Sequence, residues 1–392
     1  MPSDVLSTWK ASLGKGLRAL KDRHQLRSLA QIHGVNFCSN DYLGLAQHPA
    51  LRAATVQAVQ NSSRVGGTGS RLLSGQTEDW HHLESTFATF AGTQSALFFG
   101  SGYAANMGLL SSLLTKDDSV YSDSLNHASL IDGIRLSGAR KTIYPHLDLD
   151  FLETALRQEA GAPWRRVVVT ETIFSMDGDV APLQQIAALA EKYGAALIVD
   201  EAHATAVHGP AGRGLAVQAG IHTQLLASVH TCGKALACAG AFVCGPVELK
   251  QHLINHARTF IFSTALPPYF AHQIAAALEI SATMDADRHS LLDHASRFCK
   301  TLRAAGFDVA AGASQIIPVV LGANDAALSA ADHLQRDGFA VRAIRPPTVP
   351  DGRSRLRLSL TTLISEDELH RLAQSLSAWH LAHQLPAIAR HA

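Results

Sequence analysis

Ala195-Ala-Leu-Ile-Val-Asp-Glu-Ala-His203 is the stretch on which the fold depends. Five apolar residues run without polar alternation and end on two carboxylates and an imidazole. A strand with one wet face would alternate, so this one is covered on both faces, as in a parallel sheet with helices above and below. Just upstream, Leu183, Ile186, Ala187, Ala190 and Tyr193 form one helical stripe, and Gly194 is placed to stop the helix. The alternation continues outward. Short apolar runs at Ser95–Phe99, Ser119–Tyr121, Thr142–Tyr144, Val167–Thr170 and Ala241–Cys244 are separated by segments of helical period. Such alternation implies parallel pairing through right-handed crossovers. The expected fold class is therefore α/β, with a mainly parallel, doubly wound sheet.

Beyond about residue 246 the pattern changes. Val247–Thr259, Tyr269–Met284 and His289–Ala305 read as successive helices, followed by strands near Ile316–Leu321 and Ala340–Ile344. From Arg355, the residues Arg355, Arg357 and Ser359 alternate with Leu356, Leu358 and Leu360, which predicts a half-buried strand. Ser365 and Glu368 have capping-box spacing and open a last helix. This makes a smaller α+β unit. The first 45 or so residues read as a helical arm and a strand, too little to fold alone. The expected division is an arm over 1–48, a major domain over 49–285 and a C-terminal α+β domain over 286–392.

Composition narrows the function. Of 392 residues, 33 are Lys or Arg and 33 are Asp or Glu, so there is no basic surplus for gripping a phosphate backbone, and no nucleic-acid partner is expected. Hydrophobic residues make up 47% and charged ones 17%, which excludes a disordered chain. The most apolar stretch, Ala235–Cys244, is far shorter than the roughly 20 residues of a bilayer helix, so no membrane association is expected. Five cysteines in no disulfide-like or CxxC spacing fit a reducing cytosol, and MPSDVLSTWK has no signal-peptide core. The expected location is cytoplasmic, and no metal site is expected.

Three segments have chemical potential. Gly100-Ser-Gly-Tyr-Ala-Ala105 joins a strand to a helix and presents backbone amides at a helix N-terminus, suited to an anion. It also satisfies G-x-G-x-x-A, with Asp117, Asp118 and Asp123 downstream, so a dinucleotide-binding oxidoreductase is one reading. Asp200-Glu-Ala-His203 lies at the C-terminal end of a strand, where open α/β sheets bind ligands. A helicase-type reading of D-E-A-H needs a P-loop, and the sequence has none. Thr231-Cys-Gly-Lys234 follows the apolar stretch Leu225–Val229 and sets a lysine among small residues; that lysine is either a solvated loop charge or a Schiff-base nucleophile. Together, an anion-binding turn, a strand-end Asp and a lysine meet the needs of pyridoxal 5'-phosphate.

Further segments extend this pattern. Cys38-Ser-Asn-Asp-Tyr-Leu-Gly-Leu45, Gly66-Gly-Thr-Gly-Ser-Arg71, Asn126-His-Ala-Ser-Leu130, Phe174-Ser-Met-Asp-Gly-Asp179, Asp200-Glu-Ala-His203, Thr231-Cys-Gly-Lys234 and Ser263-Thr-Ala-Leu-Pro-Pro268 occur in the order found in the α-oxoamine synthases. The chain resembles that family of fold-type-I pyridoxal-phosphate enzymes, which condense an amino acid with an acyl thioester and release carbon dioxide. Ile344-Arg-Pro-Pro-Thr-Val-Pro350 and Arg355-Leu-Arg-Leu358 are most similar to the branch that joins L-alanine to a pimeloyl thioester. The rivals are a sister synthase using glycine with acetyl- or succinyl-CoA, the oxidoreductase, and a non-catalytic binding module.

The resemblance implies roles for single residues. Lys234 would carry the cofactor as a Schiff base and move the α-proton of alanine. Asp200 would pair with the pyridinium nitrogen, His203 with the phenolic oxygen, and His127 would stack on the ring and touch substrate. Ser175 and Thr231 would supply hydroxyl contacts, and the Gly102 and Tyr103 amides would meet the phosphate. Ser263 and Thr264 would reach the phosphate from a neighbouring subunit, implying a homodimer. Arg357, assisted by Asn40, would hold the amino-acid carboxylate. Arg27 and Thr348 would contact the acyl substrate.

Overall fold

The computed structural model describes residues 3–29, 31, 33–309 and 314–383, so the outermost residues of the expected arm and C-terminal unit lie outside the described residues. A two-residue strand, β1 (Val35–Asn36), stands apart from the central sheet of β2 (Ser95–Phe99), β3 (Ser119–Asp123), β4 (Arg140–Tyr144), β5 (Arg166–Glu171), β6 (Ala196–Asp200), β7 (Ala227–Thr231) and β8 (Ala241–Gly245). Their order is β2-β8-β7-β6-β5-β3-β4. All neighbours pair in parallel except β8, which is antiparallel to both β2 and β7. The expected mainly parallel sheet is present.

Alternate residues of its strands enter two different cores. Leu197 and Val199 pack with Trp80, Phe87 and Ile186 on one face, and Ile198 with Leu109, Leu130 and Leu253 on the other. This is why the β6 sequence does not alternate: each side of the pleat meets helices. The helix Leu183–Lys192 buries Leu183, Ile186, Ala187 and Ala190, and Gly194 follows with a left-handed φ of 63°. From sequence, β7 reads only as the apolar stretch Leu225–Val229. Its Ser228 and His230 are buried and bonded to each other at 3.0 Å, so polar residues satisfied inside the sheet hide the strand pattern.

The second sheet joins β9 (Ile316–Gly322), β11 (Ala343–Ile344) and β12 (Ser354–Ser359) in the order β11-β12-β9, all antiparallel, while β10 (Phe339–Ala340) pairs in parallel with β1. The half-buried expectation for β12 is corrected, because every residue of it is buried. Its arginine face is turned onto the Phe174–Asp179 loop, where Arg355 pairs with Asp177 and Arg357 donates Nε–H to the Ser175 carbonyl. The capping box forms: the Ser365 amide donates to Glu368 at 2.8 Å and the Glu368 amide to Ser365 Oγ at 3.3 Å.

Candidate active site

Because β8 runs against its neighbours, the C-terminal ends of β2, β3, β5, β6 and β7 and the start of β8 share one edge of the sheet. Asp200 ends β6. Its Oδ1 accepts the Ala202 amide at 2.8 Å and its Oδ2 the Asn106 side-chain amide at 2.7 Å. Three residues on, buried His203 shares a 2.7 Å hydrogen bond between Nδ1 and the Tyr42 hydroxyl, which leaves Nε2 for the site. Burial, reinforced by the cations of Lys234 and Arg357, holds this imidazole well below its usual pKa, and it is neutral.

Lys234 occupies the turn from β7 to β8. Burial lowers its ammonium pKa, opposed by the nearby Asp200 and Glu171 carboxyls. The turn closes on Gly240, at φ 94°, where a Cβ would fall 2.1 Å from the Phe98 ring. Across the cavity, Ser101 caps the helix Gly102–Leu113 by accepting the Ala104 amide at 3.1 Å. A Cβ on Gly102 would lie 2.5 Å from Thr231 Cγ2, so glycine lets this helix N-terminus approach the lysine-bearing turn.

Eight of the sequence-derived residues, Asn40, Gly102, Tyr103, His127, Asp200, His203, Thr231 and Lys234, line one cavity of about 290 Å³. His127 is the N-cap of the helix Ala128–Ser137 and also opens onto an adjoining cavity of about 560 Å³ lined by Arg27, Ser175 and Thr348. Arg27 reaches Thr348 Oγ1 at 3.0 Å. Arg357 lies behind the first cavity and donates to Asn40 Oδ1 at 3.1 Å and Tyr42 Oη at 3.5 Å. Ser263 and Thr264 are exposed and line neither cavity; Thr264 bridges to Ser70.

Sequence reading missed Glu171, Asn106 and Ser129, all in the first cavity. Glu171 ends β5 in register with Asp200, so the strand-end reasoning applied to β6 would have found it. Burial and then the Asp200 charge raise its pKa well above the usual range, opposed by the Lys234 ammonium. Another group stands outside the cavity: His146 bonds Asp123 Oδ1 at 2.9 Å and Asp179 Oδ2 at 3.2 Å. The oxidoreductase reading loses two of its three downstream acids to such pairs, since Asp123 is held by His146 and Asp118 by Arg165 at 2.7 Å.

The donor set suits pyridoxal phosphate. The first cavity offers a carboxylate fixed by two N–H groups, a neutral imidazole, a desolvated amine and a helix N-terminus for the phosphate. The Gly102 position, which a side chain would fill, is what keeps that helix N-terminus close to Lys234.

The chain matches the aminotransferase class I and II family over residues 32–376. It is 42% identical to the 8-amino-7-oxononanoate synthase of Geobacter sulfurreducens over 381 residues, covering 93% of this chain and 97% of the relative. The enzyme of the same name from Anaeromyxobacter dehalogenans is 45% identical over 344 residues, with 88% and 86% covered. Among solved structures, 8-amino-7-oxononanoate synthase from Francisella tularensis matches with a TM-score of 0.78 and 29% identity, covering 90% and 98%. A serine palmitoyltransferase variant from S. paucimobilis, solved with pyridoxal phosphate and myriocin, matches with a TM-score of 0.88 and 27% identity, covering 97% and 99%.

Proposed function

The chain belongs to the class I and II aminotransferase family, within it to the 8-amino-7-oxononanoate synthases, and we propose that it condenses L-alanine with a pimeloyl thioester in this pair of cavities. It is a pyridoxal-phosphate-dependent acyltransferase of biotin biosynthesis. The reaction joins the alanine Cα to the acyl carbon and releases carbon dioxide and the free thiol carrier, leaving 8-amino-7-oxononanoate. The observation that carries this reading is the convergence of Asp200 and His203, from the end of β6, and Lys234, from the turn between β7 and β8, on one cavity.

Pyridoxal phosphate, when bound, supplies an aldehyde carbon for the amino nitrogen and a protonated pyridine ring that withdraws electrons from the bond broken at Cα. Asp200 holds the proton on the ring nitrogen. His203, with Nδ1 bonded to Tyr42, would present Nε2 to the phenolic oxygen. The Gly102 and Tyr103 amides bind the phosphate, with the Thr231 and Ser175 hydroxyls as further cofactor contacts. His127 would stack on the ring. Lys234 would hold the aldehyde carbon until the amino group of alanine displaces it, and its freed amine, with a pKa lowered by burial, would then take and return the proton at Cα. Arg357, with Asn40, binds the alanine carboxylate. Arg27 and Thr348, already bonded to each other, bind the acyl chain at the mouth of the larger cavity.

The same proposal includes a homodimer in which Ser263 and Thr264 complete the neighbouring subunit's phosphate site. It is supported by the exposed apolar side chains beside them, Phe262 at 71% and Leu73 at 84%. The division at residues 48 and 285 belongs to it as well, supported by the separate central and C-terminal sheets. A cytoplasmic site of action is supported by five free cysteines, four of them buried. Among the described residues no helix is long and apolar enough to cross a membrane.

The test is thiol release from pimeloyl-, succinyl- and acetyl-CoA, each paired with alanine, glycine and serine. Alanine with pimeloyl-CoA is expected to exceed every other pair, and Lys234→Ala to abolish turnover together with the visible absorption of the bound cofactor. Preference for glycine with succinyl- or acetyl-CoA would transfer the chain to a sister synthase.

A further inference from the structure

Asp200 and His127 lie in different loops, yet three consecutive hydrogen bonds join them, and their direction can be worked out from one end. Asp200 Oδ2 is 2.7 Å from Asn106 Nδ2. A carboxylate only accepts, so Asn106 must turn its NH2 group toward it. The same nitrogen lies 2.9 Å from Ser129 Oγ, which therefore receives the second N–H. Asn106 Oδ1 is buried and has no hydrogen-bond partner among the described residues, so no contact on the carbonyl side competes with this orientation. With its oxygen accepting from Asn106, Ser129 is left to pass its own proton onward. The next acceptor is His127 Nδ1 at 2.8 Å, which also receives the Ser129 backbone N–H at 3.2 Å. A ring nitrogen that accepts two donors carries no proton, so the proton of the neutral ring is on Nε2. Asn106 and Ser129 are 1% and 0% exposed, so water does not scramble the order.

We propose that Asn106 and Ser129 are positioning residues that lock His127 in its Nε2-protonated tautomer, so that His127 meets the substrate as a hydrogen-bond donor to an oxygen and not as a proton acceptor. The substrate oxygen rests on the proposed condensation; the tautomer is a property of the chain itself. Fixed this way, His127 leaves the abstraction of the Cα proton to Lys234. The arrangement also binds the two groups into one unit, since the amide that orients the Asp200 carboxylate is the one that orders Ser129.

The tautomer is read by long-range ¹H–¹⁵N NMR on protein labelled at histidine, before and after addition of pyridoxal phosphate, with His127→Gln assigning the signals. In the wild type Nδ1 is expected bare and Nε2 protonated in both samples. Ser129→Ala and Asn106→Ala each remove two buried hydrogen bonds and are expected to give a mixed tautomer and to lower kcat/KM about tenfold or more. A wild-type protein with the proton on Nδ1 would overturn the proposal without any variant having to fold. So would a folded Ser129→Ala protein with unchanged tautomer and kcat/KM. Absence of thiol release from every substrate pair would instead sink the proposed function, with the tautomer still readable on the same sample.

Discussion

At the scale of single residues, the site depends on what small side chains permit and on what buried polar groups force. Gly102 is a glycine because of Thr231: the 2.5 Å approach of an added Cβ to Cγ2 leaves no room for alanine. Gly102→Ala is therefore expected to weaken pyridoxal-phosphate binding about tenfold or more, measured by titration of the cofactor-free protein. Thr231→Ser keeps the hydroxyl and removes the offending methyl, so the double variant is expected to recover most of the loss. Equal affinity in Gly102→Ala and wild type would show that this close approach does not matter. Asp200, His203 and Lys234 were legible in the sequence because each sits beside a recognisable strand end or turn. Glu171 was passed over, and Asn106 and Ser129 show their partnership only when the helix Gly102–Leu113 lies against the helix Ala128–Ser137.

At the scale of elements, loops from three strands must be held together above the sheet. His146 does this. It follows β4, reaches Asp123 at the end of β3 and Asp179 beyond β5, and packs edge-on against Phe174 at 4.4 Å. Asp123 also accepts the Leu125 and Leu147 amides at 2.8 and 3.0 Å, which ties in the chain that leads to His127. Burial works against a charged ring, yet the hydrogen bonds to Asp123 and Asp179 push its pKa up to about 9. An unfolded histidine titrates near 6.5. The stabilisation is therefore complete below about pH 6.5 and is lost as the pH rises through about 9, amounting to no more than about 3 kcal/mol. Urea unfolding of wild type and His146→Asn is expected to differ most at pH 6 to 7 and to converge near pH 10. A difference independent of pH would show that the ring acts by packing alone. β12 makes the related point that an alternating pattern marks two faces without saying what covers the polar one; here it is the Phe174–Asp179 loop.

At the scale of the whole molecule, the exposed stripe Leu6, Trp9, Leu13 and Leu17 on the helix Ser3–Asp22 joins Phe262 and Leu73 as apolar surface that the single chain leaves uncovered. The proposed dimer gives a subunit-mixing prediction. Lys234→Ala lacks the lysine, and a Ser263→Ala/Thr264→Ala protein lacks the groups offered to its neighbour. Unfolding and refolding the two together is expected to restore about a quarter of wild-type activity, because random pairing makes half the dimers mixed and each of these carries one intact site. Activity no greater than that of the separate variants would mean that each site is built from one chain. Sedimentation gives the oligomeric state independently.

By itself the sequence determined the class of the sheet and the chemistry of its edge. Strand burial on both faces and the residue types at strand ends are local properties, written into apolar runs and the turns that end them. Only the tertiary structure decided which of those residues meet. Glu171 beside Asp200, Tyr42 on His203 and the path from Asp200 through Asn106 and Ser129 to His127 join positions up to 161 residues apart. The physical reason is that a buried donor or acceptor must be satisfied by whatever the packing brings within about 3 Å, and that partner leaves no periodic trace along the chain.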